Sequence, residues 1–362
     1  MKHARKYILA AACCGLITLC FNCDLFTGPH NGGGSDTTSH AWTFEVDTLG
    51  DGASQLYDVA IVSINPPLVY AVGSIFLKDS TGQWSSPPYC VAIWDGQSWS
   101  LRHLYYKGTD YQGNPYILPL IEIKGIWVTG SSDIWLTPGS IFRWNGKDSL
   151  TNLSFSRLSL PDPTATINTL WGSSTTSLYG VGTGGSIVHF DGNEWQGIAS
   201  GTTLDIRDIW GSPDGNQILA VASNDEGSKL LSIQRTTVTT VSDSGLGSSL
   251  YGVWFVPNQK YYAVGAGIFW KNRLTDPVWN TYAPGVVTSY VSNGIRGNDT
   301  SDVFVSGDAF EIVHYNGRSW HNYSDVIPPS YGAVGRTAVK GNLMITVGLA
   351  DQKAIAIVGK RN

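Results

Sequence analysis

An internal repeat constrains the fold of this chain more than any other feature. Three clear copies are INTLWGSSTTSLYGVGTGGSIVHFDGNEW (167–195), NGIRGNDTSDVFVSGDAFEIVHYNGRSW (293–320) and IKGIWVTGSSDIWLTPGSIFRWNGKDS (123–149). Weaker copies begin at positions 56, 206, 250 and 338. After a longer first interval the copies recur about every 40–45 residues, which is the period of propellers built from four-stranded blades. Seven copies therefore predict an all-β, seven-bladed β-propeller.

One position in the first strand of each copy serves as a marker, and it is most often tryptophan. The markers are Ala60, Trp127, Trp171, Trp210, Trp254, Arg296 and Lys340. The third strand of several copies ends in an aromatic residue followed by Asp-Gly or Asn-Gly, a pair that favours positive φ in tight hairpins. The 42 Gly, 14 Trp and 17 Tyr suit short strands, tight turns and aromatic layers between sheets.

The two ends of the repeat region predict how the ring closes. The last copy ends at AIAIVGKRN (354–362), which is its third strand, so this blade lacks a fourth. The segment AWTFEVDTL (41–49) precedes the first blade and alternates as a strand does. Pairing the two would complete the last blade and hide two open sheet edges. We therefore predict one propeller domain over residues 41–362.

The N-terminus has the pattern of an export signal. A basic start is followed by an apolar run, Ile8 to Phe21, that is too short to span a bilayer comfortably. We predict a lipoprotein-type signal over residues 1–22 with Cys23 as the lipidated residue. Cys20 is the alternative acceptor, and an ordinary cleaved signal is the alternative class. Residues 23–40, rich in Gly, Ser and Thr, are predicted to form a flexible tether.

This reading implies an exported protein, lipid-anchored to a bacterial cell envelope at the outer membrane, with membrane contact through the lipid only. Cys90 alone remains in the body of the chain, so the propeller has no internal disulfide. Removal of the signal would take away three basic residues and no acidic one, making the net charge of −5 more negative. Nucleic acid is therefore not an expected partner. We expect a monomer.

The sequence contains no convincing motif for catalysis, metal binding or cofactor binding. Gly180, Gly182 and Gly185 have the spacing G-x-G-x-x-G, but a strand follows where a dinucleotide site needs a helix. Asp-x-Asp, G-x-S-x-G and His-x-x-x-His are absent from the sequence. We therefore assign no catalytic residue, no metal and no cofactor. Paired carboxylates meeting across blades remain an alternative, with Asp205 and Asp208 beside Arg207 facing the channel near Asp58 and Lys124.

The pattern W-G-S-S-x-x-D-[IVL]-[WFY]-x-V-G-x-x-G-x-I-x-H-[FYW]-[DN]-G-x-x-W resembles the repeat of propeller-type bacterial surface lipoproteins. The resemblance covers nearly the whole chain after the signal, including FEVDTLGDGASQLYDV near the start and AIVGKR at the end. It implies the propeller fold and a surface location. Such lipoproteins often carry the label glucosyltransferase, a class that commonly holds its metal with the Asp-x-Asp this chain lacks. A repeat motif specifies fold and says little about function.

Two insertions in the first blade are the strongest functional signal. The loop 76–89 and the connection 105–116 are predicted to leave from the same face of the propeller. Large loops on a rigid scaffold often carry function, and aromatic rings stack on sugars and peptides. The alternative is that these rings only pack the loops onto the propeller. The predicted ligand-binding residues are Trp84, Tyr89, Tyr105, Tyr106, Tyr111, Tyr116, Arg207 and Asp208.

Two functions follow from these features. The first is a non-catalytic binding or scaffold module for a glycan, a peptide or a surface protein. The alternative is a carbohydrate-active enzyme, either glucosyltransferase-like or a glycoside hydrolase, with acidic residues at the channel mouth.

Overall fold

The computed structural model describes residues 37–152 and 164–361. The predicted signal, both cysteines considered for lipidation and residues 23–36 of the predicted tether lie outside the described residues. The described part contains seven four-stranded sheets and one separate two-stranded hairpin. Every strand pairing within these sheets is antiparallel. The predicted seven-bladed propeller is confirmed.

The strands of the first three blades lie between residues 55 and 198. Blade 1 contains β2 (Gln55–Ile64), β3 (Pro67–Ile75), β4 (Tyr89–Trp94) and β5 (Trp99–Arg102), and the inserted hairpin contains β6 (Tyr105–Thr109) and β7 (Pro115–Pro119). Blade 2 contains β8 (Ile126–Gly130), β9 (Asp133–Leu136), β10 (Phe142–Trp144) and β11 (Leu150–Asn152). Blade 3 contains β12 (Ile167–Ser174), β13 (Ser177–Gly182), a 3₁₀ turn (Thr183–Gly185), β14 (Ile187–Phe190) and β15 (Trp195–Ile198).

The remaining blades follow in chain order. Blade 4 contains β16 (Ile206–Gly211), β17 (Ile218–Asn224), β18 (Gly227–Gln234) and β19 (Thr237–Val241). Blade 5 contains β20 (Leu250–Val256), β21 (Lys260–Gly265), β22 (Gly267–Lys271) and β23 (Asn280–Tyr282). Blade 6 contains β24 (Ser292–Asp299), β25 (Asp302–Gly307), β26 (Ile312–Tyr315) and β27 (Trp320–Asn322). Blade 7 contains β28 (Gly332–Lys340), β29 (Leu343–Ala350), β30 (Lys353–Arg361) and, from the other end of the chain, β1 (Trp42–Thr48).

Strand β1 closes the ring as predicted. It pairs with β30 in a continuous register that runs from Trp42 opposite Arg361 to Thr48 opposite Ile355. The first strand of every blade also packs beside the first strand of the next, including β28 beside β2. These seven strands therefore line the central channel.

Seven hydrophobic clusters form the core, and each fills the space between two neighbouring blades. The cluster between blades 7 and 1, for example, joins Val69 and Trp94 to Ile345 and Val358. The other six clusters occupy the other six blade interfaces in the same way. The propeller is therefore held together by its neighbour-to-neighbour contacts, since no single core serves all blades.

The Trp-Gly pair of the repeat is explained by packing across blades. A Cβ on Gly211 would lie 2.4 Å from the ring of Trp171 in the preceding blade. A Cβ on Gly297 would likewise lie 3.0 Å from the ring of Trp254. Each of these tryptophans thus covers the glycine that follows the marker of the next blade, where a larger side chain has no room.

The marker of the last blade is Ala338, which corrects the assignment to Lys340. Opposite the markers Trp171, Trp254 and Arg296 lie Tyr179, Tyr262 and Phe304 of the second strands, and the equivalent residue of blade 7, Ile345, lies opposite Ala338. Lys340 lies opposite Leu343 at the turn. The Lys340-Gly341 pair resembles the Trp-Gly pair in sequence only, because it lies two residues beyond the marker position in the strand register.

The two faces of the ring are built differently. The upper face is defined by the starts of the inner strands, the connections between blades and the loops between second and third strands. The lower face is defined by the first-to-second and third-to-fourth strand loops. Among the latter are turns in which Asp95 and Asp191 accept backbone N–H groups and the following Gly96 and Gly192 have φ of 101° and 100°. The positive φ expected of these Asp-Gly pairs is confirmed.

Candidate binding site

An ion cluster crosses the middle of the central channel. The carboxylate of Asp208, only 1% exposed, accepts hydrogen bonds from Arg296 Nη1 and Nη2 at 2.9 and 2.8 Å and from Arg336 Nη1 at 2.8 Å. The backbone N–H of Val253 in the next blade donates a fourth at 3.0 Å. Arg336 also donates to Thr169 Oγ1 at 2.7 Å. One carboxylate therefore joins side chains from blades 4, 6 and 7.

The pKa values of the two aspartates in this part of the channel are shifted in opposite directions. Burial opposes ionisation of Asp208, but the two guanidinium groups outweigh it and hold the pKa of that carboxyl below its usual range. Burial raises the pKa of Asp58, whose oxygens accept the backbone N–H groups of Val59 and Ile126. Asp208 stays ionised and fully bonded, so it has no proton to donate and no free oxygen to attack. The arrangement gives the predicted glycosidase-type use of Asp208 no support.

Arg207 and Asp205 lie at the upper mouth of the channel. Their closest side-chain atoms are 3.4 Å apart, and Arg207 Nε donates to the backbone carbonyl of Ser223. Across the mouth, Lys124 contacts Glu122 at 2.7 Å and covers the ring of Tyr57 at 3.7 Å from its centroid. The cations of this rim are therefore paired with carboxylates.

The upper mouth opens into a cavity of about 260 Å³. It is lined on several blades by residues at the start of the inner strands, among them Tyr57, Arg207, Tyr251, Asn293 and Arg336. Gly335 occupies the equivalent position in blade 7 and contributes no side chain. The mouth thus offers two tyrosine rings, an amide and guanidinium groups around a hollow that a small polar group can enter.

The six predicted aromatic residues do not form one continuous surface. Trp84 lies in the loop 76–88, edge-on to Phe76 with ring centroids 6.4 Å apart, and Lys78 Nζ lies 4.5 Å from its centroid. Tyr89 stacks on His103 at 3.9 Å between ring centroids, at the outer part of blade 1. These two residues therefore belong to separate local contacts.

The other four lie on the inserted hairpin and divide between packing and exposure. Tyr106 packs edge-on to Tyr116 at 6.0 Å and to Phe142 of blade 2 at 5.5 Å, which fixes the hairpin to the propeller. Tyr105 is exposed, and Tyr111 at the hairpin tip is 95% exposed. Tyr105 and Tyr111 are thus exposed and accessible to a partner. Tyr106 and Tyr116 instead pack the hairpin onto the propeller, as the alternative hypothesis predicted.

The exposed large apolar side chains are concentrated on the upper face. Among residues 37–152 and 164–361, two belong to lower-face loops, namely Ile64 and Val278. Ten belong to the upper face: Trp84, Tyr105, Tyr111, Ile117, Leu118, Ile121, Tyr251, Val286, Tyr290 and Tyr331. Six of these ten lie on the insertions of blade 1 and four on blades 5–7. The exposed apolar side chains are therefore distributed unevenly between the two faces.

Several of these residues escaped the sequence analysis. Ile117 and Leu118 in β7 and Ile121 after it follow the predicted insertion, and no sequence feature marks these aliphatic residues as exposed. Arg296 did carry a signal, since it replaces tryptophan at the marker position. That exception to the repeat is the partner of Asp208.

The cysteine thiol and two histidines in the described part of the chain are held in packing contacts. Burial raises the pKa of the Cys90 thiol to about 12. His189 and His314 stack on Tyr179 and Phe304. Among the residues that the structure describes, no group of three or more His, Cys, Asp or Glu side chains could hold a metal ion. Nor does any helix there have the length and apolar character needed to cross a membrane.

The fold and the channel define the class: the chain is a seven-bladed β-propeller whose channel is crossed by an aspartate bound to two arginines. No protein-family model and no curated protein matches the sequence. Solved structures with a similar fold include YCF48 bound to a D1 peptide, with 15% identity over 90% of this chain and 98% of that one, at a TM-score of 0.64. YCF48 from Cyanidioschyzon merolae has 14% identity over 88% of this chain and 98% of that one, at a TM-score of 0.60.

A third similar structure is the WD40 β-propeller domain of Doa1, with 13% identity over 87% of this chain and 96% of that one, at a TM-score of 0.57. At these identities the likeness shows the fold alone. It agrees with the strand pairings described above.

Proposed function

We propose that this protein is a non-catalytic binding module that holds a peptide segment of a partner protein on its upper face. The observation that carries the proposal is the concentration of exposed apolar side chains there, in one group on the insertions of blade 1 and another on blades 5–7. An extended segment lying across the mouth would contact both groups. The ion cluster below the mouth keeps the channel rigid beneath it.

A peptide fits this face better than a glycan does. Four of the exposed side chains, Ile117, Leu118, Ile121 and Val286, are aliphatic. Sugars are bound mainly by aromatic rings and hydrogen-bonding groups, whereas aliphatic patches accept apolar peptide side chains. The similar propeller bound to a D1 peptide supports peptide as the ligand class. Glycan binding through the exposed Trp84 is the outcome to test against it.

We further propose that the propeller is lipid-anchored to the bacterial outer membrane through Cys23 and belongs with the propeller-type surface lipoproteins. The signal-like N-terminus and the repeat pattern support this proposal. Cys23→Ala should abolish labelling by palmitate and release the protein from membranes, with Cys20→Ala as the matched control. Labelling lost in Cys20→Ala and kept in Cys23→Ala would move the anchor to Cys20. Absence of palmitate labelling from the wild-type protein would overturn the lipid anchor.

The binding proposal is tested by selecting peptides from a random display library and comparing two double variants. Tyr105→Ser/Ile117→Ser removes apolar surface from the upper face, and Ile64→Ser/Val278→Ser removes it from lower-face loops. We expect the first to weaken binding of selected peptides by about tenfold or more and the second to leave it unchanged. A glycan array is probed in parallel. Equal losses in both variants, or glycan binding without peptide binding, would contradict the proposal.

A further inference from the structure

A second, smaller cavity lies at the lower mouth of the channel, on the other side of the ion cluster. Its volume is about 170 Å³. It lies beside Ala60 and Ala338, the markers of the adjacent blades 1 and 7, where most other blades carry tryptophan. The hollow therefore occurs where two neighbouring repeats both lack the large marker side chain.

The walls of this cavity are partly apolar and include two indole rings. Trp127, Trp210 and several aliphatic side chains line it, together with the charged groups of Asp58, Arg296 and Arg336. The guanidinium of Arg296 lies 4.7 Å from the ring centroid of Trp210, which holds that ring in place. An apolar cavity of about 150 Å³ is known to accept one benzene molecule, so this one has the size for a single aromatic ring.

The charge of the cavity favours an anion. Lys340 lies in its wall, and its ammonium donates a hydrogen bond to the backbone carbonyl of Val62 at 2.8 Å. Within residues 37–152 and 164–361, no carboxylate approaches Lys340 Nζ to 4 Å. Arg296 and Arg336 share the carboxylate of Asp208. Lys340 therefore leaves at least one positive charge uncompensated at the rim.

We propose that the lower cavity binds an aromatic ring that carries a carboxylate, with the ring between the indole and aliphatic walls and the carboxylate at Lys340. The ligand is either a free aromatic acid or the C-terminal aromatic residue of a peptide. This site is separate from the peptide surface proposed for the upper face, and neither depends on the other.

The proposal is tested by calorimetric titration of the full chain with 3-phenylpropionate and with its neutral amide. We expect saturable binding of the acid, about tenfold tighter than the amide, because only the acid has a charged hydrogen-bond partner for Lys340. The tripeptide Gly-Gly-Phe, compared with the free acid, distinguishes the two sources of the ligand. Tighter binding of the tripeptide indicates a peptide terminus, and tighter binding of the free acid indicates a small molecule.

Variants and one spectroscopic measurement locate the site. Lys340→Met should remove the difference between acid and amide, whereas Lys353→Met, the same change in an upper-face turn, should keep it. Ala338→Leu should weaken both ligands by filling the cavity. In the wild type, methyl resonances of Ala60 and Ala338 should shift on titration, which tests the site even if a variant folds poorly. No saturable binding at millimolar concentrations, unmoved alanine methyls, or equal effects of the two lysine changes would overturn the proposal.

Discussion

The upper and lower faces of this propeller share one set of strands and differ in what their loops carry. The lower face is made largely of short turns in which Asp or Asn side chains accept backbone N–H groups and glycine takes a positive φ. The upper face carries the inserted hairpin and most of the exposed apolar side chains. The repeat specifies the scaffold, and departures from the repeat create the surfaces available for binding.

The ion cluster separates the two mouths, and breaking it should have the largest effect on stability. Asp208→Ala leaves Arg296 and Arg336 buried without their carboxylate, so we expect the free energy of unfolding to fall by about 3–5 kcal/mol. Asp205→Ala, in the exposed pair at the upper mouth, should cost less than about 1 kcal/mol. Urea denaturation of both variants measures the difference. Similar losses would mean that the cluster does not hold the channel together.

Replacing a positive-φ glycine with alanine should lower the free energy of unfolding more on the lower face than at the tip of the upper hairpin. The difference should be smaller than the one expected for the ion cluster. Gly192 lies in a lower-face turn, and a Cβ there would lie 3.0 Å from Thr176 Cβ. Gly113 lies at the tip of the upper hairpin, with nothing within 4 Å of its Cβ position. We expect Gly192→Ala to cost about 1–2 kcal/mol and Gly113→Ala to cost less, because the hairpin tip is free to relax. Thermal unfolding checks this order, and the reverse order would contradict it.

The N-terminal segment adds a pH-dependent contact beside blade 6. His40 Nδ1 lies 2.9 Å from His314 Nδ1, and His314 Nε2 lies 2.8 Å from Asp302, which also accepts from Arg361. Burial and the neighbouring His314 and His321 lower the pKa of His40 to about 4 from 6.5. The unfolded chain therefore binds more protons between these values, and the free energy of unfolding falls as pH decreases through that window.

This pH effect should be the smallest of the three and should leave the upper face unchanged. Urea midpoints measured near pH 7 and near pH 5 should differ less in His40→Gln than in the wild type. Peptide binding on the upper face should keep the same affinity ratio in both proteins. A pH response that His40→Gln leaves intact would assign it to other groups.

The architecture could be predicted from the sequence because the same motif recurs in successive blades. Seven markers, the Asp-Gly turns and the unpaired ends together specified the ring and its closing strand. The marker of blade 7 was placed two residues late, because the true marker position carries Ala338-Val339 and lacks the Trp-Gly pair. Here Lys340-Gly341 imitated Trp-Gly.

The binding surface was harder to predict because exposure depends on how the insertion packs. Alternation along β6 indicates that Tyr105 and Tyr106 point to opposite sides, but which side faces blade 2 depends on Phe142, distant in sequence. Ile117 and Leu118 look like core residues in the sequence and are exposed in the fold. Arg296 was visible as an exception to the repeat, but its pairing with Asp208 is a contact between blades 6 and 4.

The central claim is that a partner protein contacts the upper face, and crosslinking in living cells tests it most directly. A photo-crosslinking phenylalanine derivative is introduced at Ile117 on the hairpin or at Asn193 in a lower-face turn, and both proteins are irradiated on the producing cells. We expect a discrete crosslinked protein from position 117 and none from position 193. Crosslinking from position 193 alone, equal crosslinking from both positions, or none from position 117 would contradict it.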